Sequence, residues 1–120
     1  MHPDFSALYL RLGFNEVKVA SMRKAISALK QQTPEVVVAE FIYGYGNNYA
    51  GVNISNLDVF LYSLQKYTVN PTIIVLVDKR EYQYVDKLKA LFPVSAVLQY
   101  PISEAAMEAC ILTSLSHDDV

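Results

Sequence analysis

Glu40 closes the run Val36-Val37-Val38-Ala39, a lone acid at the carboxyl end of an apolar, β-branched segment. In open α/β sheets, ligands and chemistry gather outside the carboxyl ends of the strands, because the loops there diverge while the strands stay rigid. A carboxylate at that point can hold a proton, a cation or a fixed charge, so Glu40 marks where a site is expected. Asp78 closes Ile73-Ile74-Val75-Leu76-Val77 in the same way. A single acid there is more commonly the first residue of a helix than a catalyst. Directly after Glu40 comes Tyr43-Gly44-Tyr45-Gly46-Asn47-Asn48-Tyr49-Ala50-Gly51, which holds three of the chain's four glycines and three of its nine tyrosines. Glycine and asparagine tolerate positive φ, and tyrosine offers a large amphipathic contact at modest entropic cost. Tyr43, Tyr45, Asn47, Asn48 and Tyr49 are therefore a candidate recognition loop; the alternative is a loop whose tyrosines cover their own sheet edge.

Other patterns carry less chemistry. Gly44-x-Gly46 fails as a dinucleotide fingerprint, because Tyr49 stands in the third glycine's place and the next helix begins several residues late. Ser21-x-x-Lys24 has the spacing of a serine–lysine nucleophile without its companion elements, and Ser21 is explained as a helix cap. Asp86 lies among Lys79, Arg80, Lys87 and Lys89, a solvated helix face. Cys110 is the single cysteine, so no internal disulfide forms, and its apolar neighbours favour a buried thiol over a nucleophile. His2 and His117 sit at opposite ends, and neither a metal centre nor a cofactor is expected, with Asp4 the one weak candidate metal ligand.

The elements that must position Glu40 follow from periodicity. The 120 residues form one domain, 1–120, and 52% hydrophobic residues with a mean hydropathy of +0.19 suffice for a core. Glu16-Val17-Lys18-Val19-Ala20 reads as a strand. Ser21 then caps a helix that buries Met22, Ala25, Ile26 and Leu29 on one stripe. Pro34 precedes a second strand over 35–41, apolar on both faces as a central parallel strand requires. Ser55 and Asp58 form a capping pattern for a helix over 57–67 with Leu57, Phe60, Leu61 and Leu64 inward. Ile73 to Val77 is another two-sided strand, followed by a helix with Tyr84, Val85, Leu88, Leu91 and Phe92 on its apolar face. Residues 94–98 give the last strand, and Ser103 caps a final helix buried through Met107, Cys110, Ile111 and Leu115. Near the start, Leu8 and Leu12 lie four apart beside Phe5 and Tyr9, which favours a helix over 3–13 rather than a hairpin. Strand and helix alternating four times imply right-handed crossovers, a parallel sheet of four strands and helices on both faces.

The net charge of −2 makes no positive field to hold a phosphate backbone, so nucleic acid is not expected as a partner. The apolar runs are too short to cross a bilayer, and Asp4 and Arg11 interrupt any signal-peptide pattern, which together point away from the membrane and to the cytoplasm.

Thr33 to Glu40, Pro71 to Val77 and Ala96-Val97-Leu98-Gln99-Tyr100-Pro101 resemble the third, fourth and fifth strands of response-regulator receiver domains (CheY-like), and Arg11-Leu12-Gly13-Phe14 resembles the end of a receiver's first helix. The resemblance covers roughly residues 3 to 115 in order and spacing, without the first strand. It implies a three-layer α/β/α flavodoxin-like fold and a cis Tyr100–Pro101 bond. It also implies a role for each matching position. Glu40 stands where the family carries its phosphoacceptor aspartate, and its additional methylene displaces the carboxylate by roughly 1.5 Å. Val77 replaces the switch hydroxyl, and Tyr100, before Pro101, replaces the lysine; a phenol donates one hydrogen bond but brings no positive charge. Of the family's magnesium-holding acidic pair only Asp4 lies near the right place, and phosphoryl transfer depends on neutralising charge there. These departures imply a non-catalytic pseudo-receiver that signals or scaffolds by contact with a protein partner or a second copy. The contacts would run through the last two helices and last strand, with 43–54 a second surface. Two alternatives stand beside it: a phosphorylatable receiver in a phosphorelay, and a small-ligand-binding or enzymatic α/β domain with a pocket between Glu40, residues 43–51 and Asp78.

Overall fold

A computed structural model describes residues 4–19, 21–43 and 56–116. Its elements are α1 (Ser6–Arg11), α2 (Met22–Leu29), β1 (Val36–Glu40), α3 (Asp58–Tyr67), β2 (Thr72–Val77), a 3-10 helix (Lys79–Tyr84), α4 (Val85–Lys89), β3 (Ala96–Gln99) and α5 (Glu104–Ser116). The three strands form one parallel sheet in the order β1-β2-β3, with Val36 opposite Thr72, Glu40 opposite Leu76, Ile74 opposite Ala96 and Val77 opposite Gln99.

β2 is the centre of this arrangement because all six of its residues are apolar or threonine and all six are buried. Side chains alternate along a strand, so β2 feeds two separate cores. Ile73, Val75 and Val77 join Ala25 and Leu29 of α2, Phe60, Leu61 and Leu64 of α3, and Val85 and Leu88 of α4. Ile74 and Leu76 join Leu8 and Tyr9 of α1 with Met107 and Ile111 of α5. The first of these residues, Ile73, is held from the β3 side by Ser95, whose hydroxyl accepts from the Ile73 N–H at 2.9 Å while its own N–H donates to the Ile73 carbonyl at 2.8 Å.

Helix ends follow the local chemistry. Ser21 accepts from the Lys24 N–H at 3.2 Å, and Ser103 accepts from the Ala106 N–H at 3.0 Å, each satisfying one of the orphan donors of a first turn. α1 closes at Gly13, whose φ is +90°. The Gly13 N–H donates to the Leu10 carbonyl and the Phe14 N–H to the Tyr9 carbonyl, the paired bonds of a Schellman stop, with Phe14 packed into the Tyr9 core. Nothing lies within 4 Å of a β-carbon added at Gly13, so its cost is conformational alone. Gly13→Ala is expected to destabilise the fold by about 1 kcal/mol, measured by urea denaturation. Asn70, at φ 56°, is left-handed in the turn before Pro71, after α3 has already ended at the extended Thr68. α1 is tied to α5 by Arg11, whose guanidinium lies 2.9 Å from Glu108 Oε1 and 3.3 Å from Glu104 Oε2. These charges are solvent-exposed, so the bridge orients the helices more than it stabilises them.

Three expectations are corrected. Residues 16–19 form no strand, and Ala20 lies outside the described residues, so the described sheet has three strands rather than four. Val17 and Val19 are exposed and the Lys18 ammonium sits 3.4 Å from Asp4, so the apolar–polar alternation there has no core face to satisfy. Among the described residues β1 is accordingly an edge strand, half-buried along its length, and not a central one. The helix after β2 is split: Asp78 caps a 3-10 helix none of whose residues is buried, α4 proper starts at Val85, and Leu91 is exposed. Ser55 lies outside the described residues. The capping pattern it forms with Asp58 therefore lies outside them too; Asp58 sits buried in the first turn of α3, just after Leu57.

Candidate functional site

Glu40 ends β1 opposite Leu76, half-buried. Alternation places it on the same side of the sheet as Val36 and Val38, which pack into the core of α1 and α5. Tyr100 follows β3 on that same side: its ring packs into that core, and its N–H donates to the Val77 carbonyl at 2.9 Å. The Tyr100–Pro101 bond is cis. Glu40 and Tyr100 are close enough to interact electrostatically. The Tyr100 phenol is pushed up to about 12, first by burial and then by the Glu40 carboxylate. Its hydroxyl is buried without a hydrogen-bond partner. Tyr100 thus stays neutral at physiological pH and gives Glu40 no counter-charge.

Val77 does not join them. It is fully buried in the opposite core, with α2, α3 and α4, so its methyl groups act in packing. Asp4 is likewise engaged elsewhere. It accepts from the Ser6 N–H at 3.0 Å and pairs with Lys18, and these contacts, the Ser6 backbone bond first, lower it to about 2. Among the described residues, no three His, Cys, Asp or Glu side chains are grouped to hold a metal ion. Asp78 accepts from the Arg80 N–H at 2.9 Å and from its guanidinium at 3.2 Å, the helix-start role expected of it. Burial pushes the half-buried Cys110 thiol up, so it is held in its less nucleophilic form. Two depressions, of about 230 and 350 Å³, lie away from Glu40: one at the amino ends of the strands beside Pro34, Asn70 and Pro71, the other between β3 and α5 beside Leu98 and Cys110.

Of the recognition loop only Tyr43 is described; Tyr45, Asn47, Asn48 and Tyr49 lie outside the described residues. Both ends of that segment are fixed by residues that periodicity did not single out. Asn56 grips three backbone groups: its Nδ2 donates to the Glu40 carbonyl at 2.8 Å, its Oδ1 accepts from the Ile42 N–H at 2.7 Å, and its N–H donates to the Ile42 carbonyl at 3.1 Å. Tyr43 turns toward the 3-10 helix and α4. Its N–H donates to Glu81 Oε1 at 2.7 Å, its ring stacks on Tyr84 with centroids 3.9 Å apart, and its hydroxyl accepts from Lys87 Nζ at 3.3 Å. The only foretelling signal was compositional, tyrosine and asparagine at the borders of a glycine-rich segment.

Tyr9 repeats the Tyr100 situation inside the same core. Its hydroxyl is buried and unpartnered, and burial, then Glu16 and Asp4, push it up to about 12. For both phenols the folded-state value lies above the ordinary 10. Between those values the folded chain keeps protons that the unfolded chain has released, so this stability is intact below pH 10 and is lost as the pH rises toward 12. Tyr9→Phe and Tyr100→Phe are each expected to flatten the alkaline limb of a stability-versus-pH curve. At neutral pH each should match or exceed the native stability, because a buried unpaired hydroxyl costs about 1–3 kcal/mol.

No helix among the described residues is long and apolar enough to cross a membrane. No protein-family model matches the chain, and no curated protein matches it.

Proposed function

We propose that this chain is a degenerate receiver domain, of three-layer flavodoxin-like architecture, that signals or scaffolds in the cytoplasm by protein contact and does not carry out aspartyl phosphotransfer. The observation that carries the reading is the nearness of Glu40 to Tyr100: the strand-end carboxylate interacts with a core-packed phenol, its hydroxyl buried and unpartnered, where phosphoryl transfer needs a cation to gather the developing charge. Two further facts support it. Val77 offers no hydroxyl and faces the other core, so the last side chain of β2 cannot bond a phosphoryl group. Asp4, bonded to Ser6 and Lys18, belongs to no group of three metal-ligating side chains among the described residues.

On this reading Glu40 supplies a standing negative charge, and the partner, a different protein or a second copy, meets the face formed by α4, β3 and α5. The test is affinity capture from the source cell followed by rebinding with purified components. A purified partner whose affinity falls about tenfold or more on charge substitution of Lys89 or Glu104, on α4 and α5, supports the reading. Failure of every captured protein to rebind, together with phosphoryl uptake by the isolated chain, would overturn it.

A further inference from the structure

No residue of the 3-10 helix Lys79–Tyr84 is fully buried, and among them Tyr84 alone packs against a core, so apolar packing fixes the helix only at its end. What it and the start of α4 do have is a set of contacts with one residue across the sheet end. Glu81, Tyr84 and Lys87 are spaced three apart; the first two eclipse one another in the 3-10 turn, and Lys87 follows on the adjoining row in the first turn of α4. All three meet Tyr43. Glu81 takes its backbone N–H at 2.7 Å; Tyr84 lies flat on its ring, 10° from parallel; and Lys87 bonds its hydroxyl while the ammonium stands 5.2 Å from the Tyr43 ring centre and 5.9 Å from that of Tyr84.

The other side of the same short segment is equally constrained. Phe41 is buried in the α2–α3–α4 core, and Asn56 holds the Glu40 carbonyl and both backbone groups of Ile42. Residues 40–42 are therefore rigidly joined to the sheet, and Tyr43 is the first residue that reaches sideways from it. Tyr43 itself remains 38% exposed, so its contacts are not enforced by burial and can be exchanged for others. A contact that is multiple, specific and exposed is one that can open without unfolding the core.

We propose that Tyr43 is a latch that holds the 3-10 helix and the first turn of α4 against the strand end bearing Glu40, and that a protein partner which draws Tyr43 away releases that segment. The latch couples the end of β1 to the start of α4, and it rests on the protein-contact reading only for its signalling consequence.

Hydrogen exchange on the isolated chain tests the latch without any partner, so its failure is distinguishable from failure of the contact reading. Tyr43→Ala removes ring and hydroxyl together and is expected to speed amide exchange across residues 80–90 by roughly tenfold or more, given the size of stacking and cation–π contacts. Exchange in β2 should stay within about twofold of the native chain, since surface changes leave core openings nearly unaffected. Tyr43→Phe keeps the stack and the Glu81 bond and should show a smaller rise, and Lys87→Met a rise between the two. Exchange over 80–90 unchanged in Tyr43→Ala would overturn the latch. So would a rise shared equally by β2, which would make Tyr43 an ordinary contributor to global stability.

Discussion

Leu76→Ala is expected to lower the unfolding free energy by about 3–5 kcal/mol, the largest effect of any single truncation considered for this chain. Leu76 is fully buried on the central strand, opposite Glu40 on one side and Leu98 on the other. It shares its core with Leu8, Tyr9, Met107 and Ile111, so it is the point at which α1 and α5 both meet the sheet. Truncation loses the transfer free energy of three carbons and leaves a void that two helices anchored elsewhere cannot fill. Small domains are stable by only about 5–15 kcal/mol, so the variant should lose a third or more of its margin. Urea denaturation followed by circular dichroism measures this directly, with an unchanged slope showing that the midpoint shift is a stability change. Leu10→Ala is the control: Leu10 is 76% exposed on α1, and its truncation should stay within about 0.5 kcal/mol. A loss below about 1 kcal/mol for Leu76→Ala would show that α1 and α5 do not close on the sheet as described.

Asn56→Ala is expected to cost about 2–3 kcal/mol and to act locally as well as globally. The substitution removes the Nδ2 bond to the Glu40 carbonyl and the Oδ1 bond to the Ile42 N–H, leaving both backbone groups unpaired at the end of β1. Each such group costs about 1–3 kcal/mol when it cannot reach water, and partial exposure here reduces that range. Asn56→Asp distinguishes the two bonds. It keeps the acceptor for Ile42 but sets a carboxylate oxygen against the Glu40 carbonyl, so it should be no better than alanine. Limited proteolysis gives the local readout, with cleavage between Tyr43 and Asn56 rising more than the thermal shift alone accounts for. Equal stability of the native chain and both variants would show that Asn56 does not close this segment.

The parts of the fold legible in the sequence are those decided by neighbours in the chain. Six consecutive apolar or β-branched residues can only be a strand with both faces covered, and β2 is that strand. Ser21 and Ser103 cap because a hydroxyl three residues before an orphan N–H has a ready acceptor role, and Gly13 stops α1 because the stop needs positive φ. What failed depended on distant partners. Residues 16–19 alternate like a strand, but alternation says nothing about whether a sheet edge is within reach, and none is paired with them. The stripe after β2 carries the right apolar residues, yet the Asp78 cap draws Lys79–Tyr84 into the tighter 3-10 turn, which no period of 3.6 reveals. The same division runs through the site. Glu40 at a strand end was visible locally, and its closeness to Tyr100 was implied by resemblance. Asn56 and the Tyr43–Glu81–Tyr84–Lys87 cluster required a loop end and a helix to meet, which composition could only hint at.

The role of Glu40 is the point on which the functional reading turns. Its carboxylate lies close enough to interact with the Tyr100 phenol, which burial and then that charge push up to about 12, while Val77 packs at the neighbouring strand end and Asp4 pairs with Lys18. On the proposed reading, a group so placed offers a standing charge rather than a phosphoryl acceptor. The most direct measurement is intact-mass spectrometry of the purified chain after incubation with acetyl phosphate and magnesium, alongside Glu40→Ala. No phosphoryl adduct on either protein is the result expected, whereas an adduct on the native chain that disappears in Glu40→Ala would contradict it.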